Sequence, residues 1–135
     1  MSVGDGDTIR VATANGKRLT IRLACVDAPE TAQGYVGTDS RASLSQFLQG
    51  ATLEIRPQTT DKYGRTVAEV YANGRNVNLA MVQSGQAFAY RKYLSGCDQS
   101  AYLSAEQAAE RRGLGVWRYP GAVQRPWEFR ESRRN

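Results

Sequence analysis

Arg22, Asp27 and Glu30 fall within nine residues of one another, in the run Ile21-Arg-Leu-Ala-Cys-Val-Asp-Ala-Pro-Glu-Thr31. The run begins as a strand, with Ile21, Leu23 and Cys25 facing one way and Arg22, Ala24 and Val26 the other. A guanidinium among apolar neighbours must find a specific partner, because burying it alone is very costly. The strand stops at Asp27, Pro29 breaks any ladder, and Glu30 follows at once. One cation and two carboxylates therefore stand at the mouth of a strand. Taken alone, this is equally an edge strand running into an acidic turn.

Partners for it exist elsewhere. Asp5-Gly-Asp-Thr8 is either an ordinary turn or a source of oxygen ligands for a hard cation. Asp7 and Asp27 occupy hairpin-related positions that could bring their carboxylates together, and the Ala28 carbonyl would add a third ligand. Glu30 is then either a surface glutamate or a general base that takes a proton from water. Arg22 and Arg65 are candidate phosphate clamps, since the guanidinium fork matches phosphate oxygens with paired hydrogen bonds. Tyr90 and Tyr93 are core or rim aromatics, or platforms for a base.

The chain has no histidine. That excludes Ser-His-Asp and Cys-His catalysis and histidine-ligated zinc, leaving carboxylates with metal and arginine help for acid–base work. The net charge of +5 comes from the C-terminal end. Residues 1–110 balance at 11 Lys/Arg and 11 Asp/Glu, whereas residues 111–135 hold seven arginines and two glutamates. A polyanionic partner and a solvated basic tail both account for this. Cys25 and Cys97 are in no zinc spacing, so they form one disulfide or stay two small buried thiols; a disulfide requires an oxidising compartment. No apolar run approaches the roughly 20 residues of a membrane-spanning helix. The opening, with no leader pattern, reads as clipped.

The elements that must position these residues follow from periodicity. At 135 residues the chain makes one domain. Strands are expected at 8–13 and 18–26, joined at Asn15-Gly16, then at 52–56, 66–71 and 86–90. Residues 27–38 read as a loop too polar for the core. Helices are expected from Asp39 or Ser40 to Gly50, over 77–82, and from Asp98 or Ser100 to Arg112. Five short strands and three helices fit an α+β fold built on a closed, five-stranded OB-type barrel. The domain is expected to end near residue 118. The tail, 119–135, carries Trp127 and Phe129 without clear periodicity, and either straps onto the domain or is partly disordered.

From Val3 to about Trp117 the chain resembles the staphylococcal nuclease (thermonuclease) family, and its tail looks like those of cyanobacterial relatives. The resemblance is carried by Asp5-Gly-Asp-Thr8, Ile21-Arg-Leu, Val26-Asp-Ala-Pro-Glu-Thr31, Thr60-Asp-Lys-Tyr-Gly-Arg65, Val77-Asn-Leu-Ala-Met-Val-Gln-Ser-Gly85 and Gly113-Leu-Gly-Val-Trp117. It implies that Arg22, Glu30 and Arg65 are catalytic, that Asp7, Asp27 and the Ala28 carbonyl hold calcium with Asp5 in support, and that Tyr63, Tyr90 and Tyr93 meet the nucleotide. Ala28 departs from the founding member's threonine, but only its backbone oxygen is needed. The implied activity is calcium-dependent cleavage within DNA and RNA strands, leaving 3′-phosphate ends, by a monomer that is secreted or periplasmic. The rival is an OB-type module that binds nucleic acid or protein without catalysis. Such a module would be expected to lose one of Asp7, Arg22, Asp27, Glu30 and Arg65, and all five are present. A purely structural domain leaves that set unexplained.

Overall fold

The computed structural model describes residues 1–118 and 123–134. Two antiparallel strands, β2 (Thr8–Ala12) and β3 (Arg18–Leu23), flank Gly16, which adopts the left-handed φ of 80° that the tight turn needs. Their register sets Thr8 opposite Arg22. A short extra strand, β1 (Ser2–Val3), pairs with β2, so the two aspartates of Asp5-Gly-Asp7 lie in the connection between them.

Strand β3 ends earlier than its alternating pattern suggests. Cys25 takes a φ of 69°, rare for a residue with a side chain, and the chain turns sharply. A separate strand, β4 (Val26–Asp27), leaves that turn in a new direction. The supposed polar loop therefore begins in the core: Asp27 and Ala28 are both fully buried.

Next come β5 (Leu53–Thr60) and β6 (Thr66–Ala72), an antiparallel pair whose register shifts between Pro57 and Thr59. Pro57 has no N–H to give a ladder, which suits the irregularity. Strand β6 also runs parallel to β3, and the turn at Asn73-Gly74 returns the chain to β7 (Arg75–Asn76). The last strand, β8 (Phe88–Ala89), is shorter than the expected 86–90 and pairs with β4. The main ladder follows the order β1-β2-β3-β6-β5, with β7 beside β6. The fold is the expected α+β, OB-type one, its five-strand main path curling as a half-barrel beside the β4–β8 pair.

Helix α1 (Tyr35–Leu48) begins four residues before Asp39. No side chain caps it; it starts from Gly34 at φ 90°, a conformation that glycine alone adopts readily. Helix α2 (Val77–Gln83) is capped by the Asn76 side chain, which accepts from the Leu79 N–H at 3.1 Å. Helix α3 (Gln99–Arg111) is capped in the same way by Asp98. A fourth helix, α4 (Pro126–Ser132), lies in the tail with proline in its first turn, where a missing N–H costs nothing. The core collects Ile9, Ile21, Leu23 and Val70 from the sheet with Leu44, Met81 and Tyr102 from the helices.

Two further ties hold the region around the sharp turn. Asn78, fully buried on α2, donates to the Ala24 and Ala68 carbonyls at 2.9 and 3.0 Å and accepts from the Val70 N–H at 3.0 Å. It thus fastens the helix to β6 and to the chain leaving β3. The second tie is covalent: Cys25 and Cys97 form a disulfide with Cα atoms 6.5 Å apart, closing 72 residues. Loop entropy in the unfolded chain makes such a link worth about 4 kcal/mol.

Candidate active site

The turn after β3 builds the centre of the site. Arg22 lies back over it, donating to the Leu23 and Val26 carbonyls at 2.6 and 2.8 Å. Its other terminal nitrogen faces Asp27 Oδ1 at 3.3 Å and Asp7 Oδ2 at 3.6 Å. The guanidinium is therefore shared between turn and acids, with 14% of the side chain exposed. Asp7 Oδ2 in turn accepts the Ala28 N–H at 2.9 Å, which fixes the loop after β4 against the β1–β2 connection.

Asp7, Arg22, Asp27 and Ala28 thus come together. The hairpin register accounts only for Asp7 beside Arg22; Asp27 arrives through the turn at Cys25. Asp27 is wholly buried, and burial pushes its pKa up to about 6, helped by the neighbouring Asp7 and opposed by Arg130 and Arg22. Two acids at this depth attract positive charge. Among the described residues no three Asp, Glu, His or Cys side chains converge. A cation on this pair would complete its shell with carbonyl, water or phosphate oxygens, the donors that hard divalent ions accept. The residues fit such an ion.

Glu30 stands at the rim, with a quarter of its side chain exposed. Its N–H donates to the Gln33 side chain, and the next N–H, of Thr31, donates to Asp5 Oδ1 at 3.0 Å. Asp5 therefore anchors the segment that carries Glu30. Gly37 of α1 approaches the Glu30 carbonyl so closely that a Cβ there would collide with backbone. Gly6 is pressed as closely against Ser40, whose hydroxyl a Cβ there would strike. These two glycines let α1 seat directly on the loops bearing Asp7 and Glu30.

Arg65 makes its hydrogen bonds and ion pair with Asp61 and none with this cluster. It pairs with Asp61 across its own turn at 2.7 Å, and its ring neighbour Tyr63 is 71% exposed. Arg65 nevertheless shares an open groove of about 470 Å³ with Asp5, Thr8, Arg10, Thr31 and Arg41. Tyr90 and Tyr93 meet edge to face at 5.1 Å.

Sequence reasoning missed one occupant of the site. Arg130 of α4 donates to both oxygens of Asp27, at 2.6 and 3.1 Å, and reaches Glu30 at 3.4 Å. The Asp27 hydrogen bond above all holds its guanidinium more firmly protonated. Trp127 of the same helix stacks on Tyr90, 5.5 Å between centroids and 7° between planes. Glu106 of α3 was missed too: buried, it accepts the Ala89 N–H at 2.7 Å and pairs with Arg91, holding the strand before Tyr90. The carboxylate at an inward helical position was the one available signal.

A family profile described as "Staphylococcal nuclease homologue" matches residues 20–119. The chain is 38% identical over 140 residues to a micrococcal nuclease of Shigella flexneri, covering 97% of this chain and 78% of that one. It is 36% identical over 117 residues to an "uncharacterized endonuclease" of Haemophilus influenzae, with 87% and 64% covered. A staphylococcal-like nuclease of Arabidopsis thaliana is 33% identical over 119 residues, 87% of this chain but 35% of the relative. The chain belongs to the staphylococcal nuclease family.

Proposed function

We propose that the chain is a calcium-dependent phosphodiesterase that cuts within DNA and RNA strands with little base preference, leaving 3′-phosphate ends. The observation that carries this reading is the buried Asp7–Asp27 pair with Arg22 at its edge and Glu30 at its rim. Asp7, Asp27 and the Ala28 carbonyl would hold the cation, which supplies charge neutralisation at the scissile phosphate. Arg22 presents its fork to the phosphate oxygens and stabilises the charge that grows as the phosphorus becomes five-coordinate. Glu30 accepts a proton from the attacking water, whose oxygen bonds to phosphorus while the bond to the 5′ oxygen breaks. That leaving oxygen then takes up a proton from solvent. Arg65 stabilises the same charge from the groove side, where Arg10 and Arg41 offer a path for neighbouring phosphates. Tyr63 and Tyr93 are the exposed aromatic surfaces for bases, and Tyr90 joins them once Trp127 leaves its face. The Cys25–Cys97 disulfide supports a secreted or periplasmic location, and the enzyme works as a monomer.

The docked Arg130 favours the rival reading, a binding module without turnover. Cleavage of matched single- and double-stranded DNA and RNA across a panel of divalent ions separates the two. Hydrolysis that is highest with calcium and lost with chelator supports the enzyme. Cleavage indifferent to chelator, or none under any ion, overturns it.

A further inference from the structure

We propose that helix α4 is a built-in competitor for the site: Arg130 stands where a divalent cation would bind, Trp127 covers the face of Tyr90 that a base would use, and both must leave together. The inference rests on the reading of Asp7 and Asp27 as cation ligands.

Arg130 bonds both oxygens of Asp27. A guanidinium and a divalent cation repel each other and need the same lone pairs, so they exclude one another. The aromatic contact acts on the second half of the site in the same way. Trp127 lies nearly parallel to Tyr90, and a stacked base would have to displace it. One seven-residue helix thus carries a substitute for the cation and a substitute for the base.

The docking is specific. Pro126 is buried, the Arg125 guanidinium lies over the rings of Phe88 and Trp117 at 4.8 and 5.0 Å, and Gln33 donates to the Gln124 carbonyl at 2.8 Å. Phe88 is also the residue opposite Asp27 in the β4–β8 pair, so the anchor and the blocked ligand share one ladder.

The docking is also releasable. A helix of two turns with no side-chain cap does not hold its shape in water on its own. It forms where it docks, and losing the dock unravels it. Arg130 remains about one-third exposed, open to exchange with ions from solvent. A cation that takes Asp27 therefore frees Arg130, weakens the helix and uncovers Tyr90; a nucleic acid that takes Tyr90 eases cation entry. The two ligands should help each other bind, because each removes part of the same obstacle.

Calcium titration by calorimetry, on the 135-residue chain without nucleic acid, tests this. Arg130→Gln should bind calcium about tenfold more tightly than wild type, the factor expected if the docked helix occupies about nine-tenths of the molecules. Trp127→Ala, which loosens the helix while keeping every charge, should shift affinity in the same direction and covers the event that Arg130→Gln misfolds. Arg133→Gln, at the cap just past the same helix and outside the site, should bind as wild type does. Equal or weaker calcium binding in both Arg130→Gln and Trp127→Ala overturns the competitor while leaving the cation reading intact. Absence of calcium binding in wild type and in both variants overturns both.

Discussion

Arg130 and Asp27, 103 residues apart in sequence, meet through two hydrogen bonds at the most deeply buried carboxylate of the site. The pair joins the tail to the turn that also places Arg22, so the charge of Asp27 is managed from both ends of the chain.

Asp27 gives the protein a pH dependence of known sign. Its folded-state pKa, about 6, lies above the ordinary value of 3.8 because burial penalises the carboxylate. The folded protein therefore holds this proton more tightly than the unfolded chain does. Its contribution to stability is full below about pH 4 and is lost as pH rises through about 6. Unfolding free energies from pH 4 to 7 in cation-free buffer should show this decline in wild type, and Asp27→Asn should lack it. Parallel profiles would contradict the assignment.

The two candidate phosphate clamps should respond differently to removal. Arg22 holds two carbonyls of the turn as well as facing Asp7 and Asp27, so Arg22→Gln should lower both activity and melting temperature. Arg65 pairs with Asp61 near the surface, an ion pair worth up to about 1 kcal/mol. Arg65→Gln should cut the turnover rate by about 10²–10³-fold with little change in melting. Equal losses of stability in the two variants would show that Arg65 is structural.

Asn78 touches no candidate catalytic group, yet it should govern the site's rigidity. Asn78→Ala leaves the Ala24 and Ala68 carbonyls and the Val70 N–H without this partner. The expected cost is on the order of 3 kcal/mol, measurable by denaturant unfolding. A loss under about 1 kcal/mol would mean that the neighbouring backbone finds other partners.

The parts of this architecture that repeat locally were legible in the sequence. Asn15-Gly16 and Asn73-Gly74 mark their turns, and Asp98 marks the start of α3, because each is a short-range rule with a steric or hydrogen-bonding cause. The start of α1 was hidden since Gly34, and no capping side chain, begins it. Alternation carried the expected strand through Cys25, because period-two patterning does not reveal a residue turned to positive φ. Asp7, Arg22 and Asp27 could be grouped from their motifs. Arg130 could not: nothing near it in sequence announces a partner a hundred residues away, and its helix takes shape against Tyr90 and Phe88 instead of by its own periodicity.

Glu30→Gln tests the central claim most directly. The amide keeps the shape of the side chain and its place at the rim but cannot accept a proton from water. Release of acid-soluble nucleotides from DNA and RNA with calcium should fall by about 10²–10⁴-fold, while calcium binding and melting temperature stay close to wild type. Hydrolysis at the wild-type rate in this variant would contradict the account.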